Sequence, residues 1–343
     1  MSFKVIAPVP RPLWRELSQI DNHALATQSA EWIDAVTSVH DYEDASRAYE
    51  FTDGQVIVLP LVRRRGRTGE LASLPEDWGF GGVLSQRPPT PDALRLIIQD
   101  LKANRPARLY IRPNPMDAGL WAVAVGDTLP SKAVNARVLD IREGFDNVWA
   151  KQFSGKTRNQ IRKAEKSGIA VDCDSSGRLS QLFYQLYQLS VHRWVGKRGM
   201  ISRLRAARLL SRNTVEKFNA IAEALSTNCQ TWMAWRDGQP IAGIMVIRSS
   251  YHAQYVFGAM NKELASPVNA NDLLHRLAIE DACRAGLWTY HMGTSGDNDA
   301  LAHFKARFGA KEVTFRTYCH IGSPVARAGE TLFAAAKKVI PKL

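Results

Sequence analysis

Residues 230–260 read QTWMAWRDGQPIAGIMVIRSSYHAQYVFGAM, three runs rich in β-branched and aromatic residues. They predict three strands. Asp237-Gly238 supplies the positive-φ corner of a tight hairpin, so the first two strands are antiparallel neighbours. The next segment, NANDLLHRLAIEDACRAG at 269–286, predicts a helix with Asn269 or Asn271 as its cap and Gly286 as its stop. LWTYHM at 287–292 reads as a strand, 299–308 as a short helix stopped at Gly309, and EVTFRTYCHI at 312–321 as a last strand. From Cys229 to Ile321 the order is strand, strand, strand, helix, strand, helix, strand. The helix between Met260 and Leu287 is long enough to cross between parallel strands, which predicts a mixed α/β sheet with helices on its faces.

Working outward, KTRNQIRKAEKSGIAV at 156–171 predicts a basic helix of about three turns, stopped at Gly168 and followed by a strand. LSQLFYQLYQLSVHRW at 179–194 predicts another, with Leu182, Leu186 and Leu189 inward. The first 148 residues alternate more loosely. They contain a helix at 29–39, a hairpin turning at Asp53-Gly54, a Gly-rich loop at 73–84, a helix opened by Pro91 with Leu94, Ile97, Ile98 and Leu101 on one face, and strands at 107–113 and 136–141.

At 343 residues the chain has the length of two ordinary domains, and 45% apolar with 23% charged residues is a globular composition. No apolar run reaches a membrane span and the first residues lack a signal-peptide pattern, so a cytoplasmic protein is expected, with no integral membrane segment. Cys173, Cys229, Cys283 and Cys319 are isolated in sequence and read as buried thiols; no metal set is expected. The net charge of +12 is concentrated: residues 151–217 hold 15 Lys/Arg against four Asp/Glu. A field of that sign favours an anionic partner such as a phosphate, a nucleotide, RNA or an anionic membrane.

Three segments together resemble the FemABX and BioF2-like branch of the GNAT superfamily: SLPEDWGFGGVL at 73–84, TRNQIRKAEKSGIAV at 157–171 and YHMGTSGDNDALAHFKARFGAKEV at 290–313. The resemblance covers most of the chain. It implies two tandem GNAT-like lobes, residues 1–148 and 149–325, with a cleft between or along them, and a basic amphipathic tail at 326–343. It also implies transfer of an acyl group, often an aminoacyl group from charged tRNA, onto an amine of a cell-envelope, polysaccharide or related precursor. No bound cofactor is implied; the donor is a co-substrate, either aminoacyl-tRNA or acyl-CoA.

On the helix at 299–308, Leu301, Phe304 and Phe308 share a stripe and Lys305 stands at its edge, where a lysine reaches a cleft. Amine attack on an ester or thioester builds negative charge on the carbonyl oxygen, which a fixed cation stabilises. Lys305 suits that role, and the resemblance implicates the lysine of the matching Phe-Lys pair in transfer. The plain alternative is a lysine snorkelling past an aromatic core. Phe304 is core or a wall of the acyl pocket. Asp297 and Asp299 cap the helix or take a proton from the attacking ammonium, since an amine must be neutral to attack. His303 falls on the opposite flank, as a surface residue.

Arg158 and Arg162, spaced i and i+4 with Lys156 and Lys163 beside them, present cations for a phosphate-bearing substrate or a tRNA backbone, or form ion pairs. Arg193 and Trp194, in HRWVGKRGM at 192–200, combine cation and aromatic as a nucleobase or sugar contact would, on a loop that two glycines make a candidate lid. Asp77 and Trp78 line an acceptor cleft or belong to a tight turn. A CoA-using GNAT protein has a Gly-rich pyrophosphate loop after its fourth strand; here GAMNKELASPVNANDLL, 258–274, has none. Amides at the Asn269–Asn271 helix start still suit an anion, and keep acyl-CoA open as donor. Two other readings follow: a CoA-dependent N-acetyltransferase of a small molecule or nucleotide sugar, and a non-catalytic RNA- or membrane-surface-binding module. The tail, with Leu332, Phe333, Val339 and Ile340 beside Lys337, Lys338 and Lys342, suits peripheral contact with an anionic membrane or packs as a terminal helix.

Overall fold

The computed structural model describes residues 2–39, 41–66, 69–196, 200–296 and 298–322. The expected tail, and Lys197 and Arg198 of the expected lid, lie outside the described residues. The chain forms two compact units, one made of the chain up to His23, residues 27–134 and the chain from Thr314, the other of Ala24–Ala26 and Asn135–Val313. The division falls at 134/135 and 313/314, beside the expected lobe boundary at 148/149, while the expected boundary at 325 lies outside the described residues. Strand pairing is the reason, because a strand goes with the ladder it completes.

The first unit holds β1 (Phe3–Ile6), α1 (Arg11–Ile20), α2 (Ala30–Val39), β2 (Tyr42–Asp44), β3 (Arg47–Phe51), β4 (Val56–Leu59), β5 (Val62–Arg64), β6 (Glu70–Ala72), β7 (Leu84–Ser85), α3 (Pro91–Ala103), β8 (Arg108–Ile111) and α4 (Ala118–Val125). β1, β3, β4 and β7 make a four-stranded sheet, with β3 and β4 joined at the expected Asp53-Gly54 turn. β2, β5, β6 and β8 pair separately, β6 and β8 in parallel. The Thr90 hydroxyl accepts from Ala93 N to cap α3, whose Leu94, Ile97, Ile98 and Leu101 are buried with Tyr49 and Trp121. A capped start followed by apolar residues every third or fourth position is what makes this helix legible.

The second unit holds β9 (Ser131–Asp140) from Asn135 on, a short α5 (Phe145–Asn147) running into a π-helical turn at Val148–Gln152, α6 (Gly155–Glu165), β10 (Ala170–Asp174), α7 (Ser180–Val195), α8 (Met200–Arg212), α9 (Val215–Leu225), β11 (Cys229–Arg236), β12 (Gln239–Arg248), β13 (His252–Met260), α10 (Lys262–Ala265), α11 (Ala270–Arg284), β14 (Thr289–Thr294), α12 (Asp299–Ala306) and the start of β15 (Lys311–Ile321), up to Val313. β10 to β13 are antiparallel in sequence order, α11 crosses over, β14 lies parallel to β13, and β9 closes antiparallel on β14. This is the predicted mixed sheet. The far end of β15 pairs with β8 over residues 318–321, which is why that strand ends in the first unit.

Two details of β13 matter below. Its ladder with β14 runs only from His252↔Thr289 to Gln254↔His291, although both strands continue. Its register with β12 shifts between Met245 and Val246, so Val256 is an extra residue opposite that step. Such a bulge bends a strand and re-aims the side chains beside it. The core behind is apolar: Leu274, Ala278, Ile279 and Ala282 of α11 bury against Ile244 and Val246 of β12 and Ile161 and Ala164 of α6.

α7 turns a different face inward from the one expected. Phe183, Leu186, Tyr187 and Ser190 are buried, whereas Leu189 is exposed. The aromatics set the rotation, because Phe183 and Tyr187 pack edge-on against Phe218 of α9 at ring distances of 5.1 and 5.7 Å. Among the cysteines, Cys229 is buried but Cys173 is exposed on β10; all four are free thiols. No described helix is long and apolar enough to cross a membrane.

Candidate active site

α12 is capped by Asn298, whose side chain accepts from Leu301 N at 3.0 Å. Asp299 is the first helical residue and is exposed, and Asp297 lies outside the described residues. Asparagine wins the cap because its carbonyl oxygen reaches the N3 amide from one residue earlier. At the other end Gly309 has φ +86°, and a Cβ there would meet the Gln152 carbonyl at 2.9 Å. The helix therefore stops hard against the π-helical turn. Between these ends Phe308 is fully buried, Phe304 is half-buried and His303 is exposed.

Lys305 is buried, at 2% exposure, and its Nζ donates to the Thr294 carbonyl at 2.7 Å. Among the described residues this carbonyl is its one hydrogen-bond acceptor. Thr294 ends β14, and Nζ also stands 6.0 Å from the ring centre of Tyr255, the first residue of β13 beyond the paired segment. Burial, and then the charge of Arg137, lower the ammonium's pKa to about 8. A lysine merely snorkelling would keep its head in water; this one does not. Lys305 thus sits where β13 and β14 have stopped pairing.

The surroundings are aromatic and mostly uncharged. His275 of α11 lies 4.7 Å from Tyr255, 5.4 Å from Phe304 and 5.5 Å from Phe308 by ring centres, and its Nδ1 is 3.1 Å from Tyr290 Oη. Burial, then the charges of Lys305 and Arg307, press the imidazole down to about 3, so it stays neutral. Burial likewise pushes the Tyr255 phenol up to about 12 and Tyr290 upward. Gly258 is required here, because a Cβ would fall 2.1 Å from Tyr255 Oη. Of Lys305, His275, Tyr255 and Tyr290, Lys305 has the ionisation nearest neutrality.

Arg307 is the second cation, and it is committed. It pairs with the buried Asp272 of α11 and bonds Gln160 of α6, stacks over Phe304 at 4.8 Å, and its carbonyl accepts from Ser154 N at 2.8 Å and Thr157 Oγ1 at 3.1 Å. Burial raises the Asp272 carboxyl's pKa, with Arg307 opposing. The pair joins α6, α11 and α12, and so fixes the helix that carries Lys305. Sequence reasoning missed Arg307, His275 and Tyr255, since each becomes meaningful only once β13, α11 and α12 converge.

The other candidates disperse. Arg158 turns inward and donates to the carbonyls of Trp149, Ala150 and Phe153 at 3.2, 3.1 and 2.6 Å, closing the π-helical turn. It does not form an outward fork with Arg162, which is exposed and lies over Trp149 at 5.7 Å. Lys156 and Lys163 are exposed beside it. Arg193 donates to the Met260 carbonyl at 3.0 Å and lies 6.0 Å from the Trp194 ring, so the expected cation and aromatic do stand together on α7. Asn269 starts α11 with a left-handed φ of +52° and caps nothing with its side chain; Asn271 Nδ2 bonds Met260 Sδ at 3.2 Å. Trp78 is buried in the first unit, edge-on to Trp32 at 5.5 Å, and its carbonyl accepts from the Trp32 indole at 3.0 Å. That makes 73–84 a packed turn, with Asp77 half-buried at φ +66°. Among the described residues no group of three or more His, Cys, Asp or Glu is placed to hold a metal ion.

Residues 151–306 match the acetyltransferase (GNAT) domain family. The chain is similar in structure to FemX, with a TM-score of 0.68 and 12% identity over 95% of this chain and 99% of that one. It is also similar to the C-terminal domain of a putative lysylphosphatidylglycerol synthetase from Agrobacterium fabrum, with a TM-score of 0.54 and 13% identity over 96% and 97%. A third neighbour is L-PGS from Bacillus licheniformis, at 0.51 and 12% over 98% and 99%. No curated protein matches the sequence. The chain has the fold of FemX, and the stretch that matches the acetyltransferase (GNAT) domain model lies within the second unit.

Proposed function

We propose that the protein transfers an aminoacyl or acyl group to an amine, with the donor carbonyl held against Lys305 where β13 and β14 cease to pair. One observation carries this: a buried ammonium fixed by the Thr294 carbonyl at 2.7 Å, with no second hydrogen-bond acceptor among the described residues. A cation held in an aromatic, water-poor pocket stabilises negative charge far better than one in water. The neutral amine attacks the carbonyl carbon, the carbonyl electron pair moves to the oxygen facing Nζ, and collapse expels the tRNA hydroxyl or the CoA thiol. The proton lost by the amine passes to that leaving group.

An aminoacyl-tRNA donor is favoured over acyl-CoA by two features. The β13–α11 connection lacks pyrophosphate-loop glycines, and a basic surface lies on α6. The exposed Lys156, Arg162 and Lys163 suit a tRNA backbone. Likeness to FemX and to a putative lysylphosphatidylglycerol synthetase supports aminoacyl transfer and work at the cytoplasmic face of the membrane.

The test is a donor screen of acetyl-CoA, longer acyl-CoAs and mixed charged tRNAs, first by thermal shift and then by transfer. Charged tRNA should stabilise the protein and give transfer. Stabilisation and turnover with CoA thioesters alone would replace this reading with CoA-dependent N-acyl transfer, and salt-sensitive RNA binding without turnover from any donor would leave a binding module.

A further inference from the structure

α8 presents an apolar strip to solvent. Met200 is 77%, Leu204 64% and Ile201 51% exposed, while Ala206 on the other side is buried. At 100° per residue Leu204 lies between Met200 and Ile201, so the three make one ridge. On the adjoining α7, Leu189 is 51% and Trp194 54% exposed. Exposed apolar residues scattered singly need no explanation, but five within residues 189–204 form a patch.

The charge around that patch is mostly positive. α8 carries Arg203, Arg205, Arg208 and Arg212 and no acidic residue. Beside it a cavity of about 800 Å³ is lined by Leu189 and Leu210 with Arg193, Arg203, Lys262 and one carboxylate, Glu263. The strip and cavity belong to none of the residues around Lys305. They adjoin that site only through β13, whose last residue, Met260, is held by Arg193 and by the Ser190 hydroxyl at 2.9 Å.

We propose that this face of α7 and α8 docks on an anionic lipid bilayer. Met200, Ile201 and Leu204 enter the headgroup–acyl boundary, Trp194 sits at that boundary, and the flanking arginines meet lipid phosphates. Charge complementarity selects this occupant. The chain's own tail, with Lys337, Lys338 and Lys342, carries the same sign as the patch, and so does the matching face of a second copy. RNA would satisfy the arginines and reach Trp194, but the ridge itself, Met200, Ile201 and Leu204, is aliphatic and gives successive bases nothing to stack on.

The test is co-sedimentation of the full chain with vesicles of phosphatidylcholine alone or mixed with phosphatidylglycerol, at low and high salt. Binding is expected to the mixed vesicles and to weaken with salt. Ile201→Glu/Leu204→Glu should lower it at least about tenfold, since two aliphatic side chains are lost from the inserted ridge, without moving the thermal midpoint. Arg203→Gln/Arg208→Gln should lower it while flattening the salt dependence. Absence of binding to the mixed vesicles, equal binding to both vesicle types, wild-type binding by the Ile201/Leu204 variant, or loss of RNA binding in that variant with vesicle binding kept, would each overturn the proposal. The measurement needs no donor, so its outcome is separate from that of the transfer reading.

Discussion

Lys305 Nζ and the Thr294 carbonyl lie 2.7 Å apart, and this one bond ties α12 to the end of β14. It fixes a cation that burial is trying to neutralise.

That competition makes the transfer rate pH-dependent. With Lys305 titrating at about 8, the oxyanion-stabilising form is present below that pH and is lost above it. The single-turnover rate of the wild type divided by that of Lys305→Arg, a ratio in which the acceptor amine's own deprotonation cancels, should therefore fall as pH rises through about 8. Lys305→Arg is the reference because guanidinium keeps its charge. A ratio that climbs through that pH would make Lys305 a base.

Arg307 and Asp272 form a buried pair, with side chains 13% and 7% exposed. Arg307→Met leaves the carboxylate unpaired and should cost about 3–5 kcal/mol in urea unfolding. Arg307→Met/Asp272→Leu should recover most of that loss. If the double variant is no more stable than the single one, the pair is not what holds α12 to α11.

His275 sets a second, opposite dependence. Its folded pKa of about 3 lies below the 6.5 of the unfolded chain, so its contribution to stability is complete above 6.5 and is lost as pH falls towards 3. His275→Phe should flatten the urea midpoint over that window and leave it unchanged at pH 8.

The basic face of α6 separates into two roles. Arg158→Gln removes donors to three carbonyls and should lower the thermal midpoint without altering RNA affinity. Lys156→Gln/Arg162→Gln/Lys163→Gln should leave the midpoint alone and reduce both tRNA affinity and its salt slope. Filter binding at several salt concentrations distinguishes the two.

Much of the fold was legible because its signals are local. The Asp237-Gly238 hairpin, the run of three strands and the crossover helix 270–284 each follow from turn chemistry and periodicity, and together they yield the mixed sheet. α8 and α9 went unread, since four arginines and an outward apolar ridge blur the period of 200–212. Lys305 was singled out from its place on α12, although its burial and its Thr294 partner were not foreseen. Arg158 and Trp78 looked like surface groups because sequence cannot say which carbonyls or rings a side chain will find. The Arg307–Asp272 pair and the Tyr255–His275 contact join residues 20 or more positions apart, so only the folded chain brings them together.

The most direct measurement is transfer from a donor identified in the screen by wild type and by Lys305→Met, with thermal midpoints recorded in parallel. Removing a fixed oxyanion donor costs about 10²–10³ in rate, whereas removing a buried ammonium whose pKa has fallen from 10.5 to about 8 relieves a burden of order 3 kcal/mol below pH 8. The account predicts a loss of at least about a hundredfold in single-turnover rate, with the midpoint at pH 7 unchanged or raised. Wild-type transfer by Lys305→Met would contradict it.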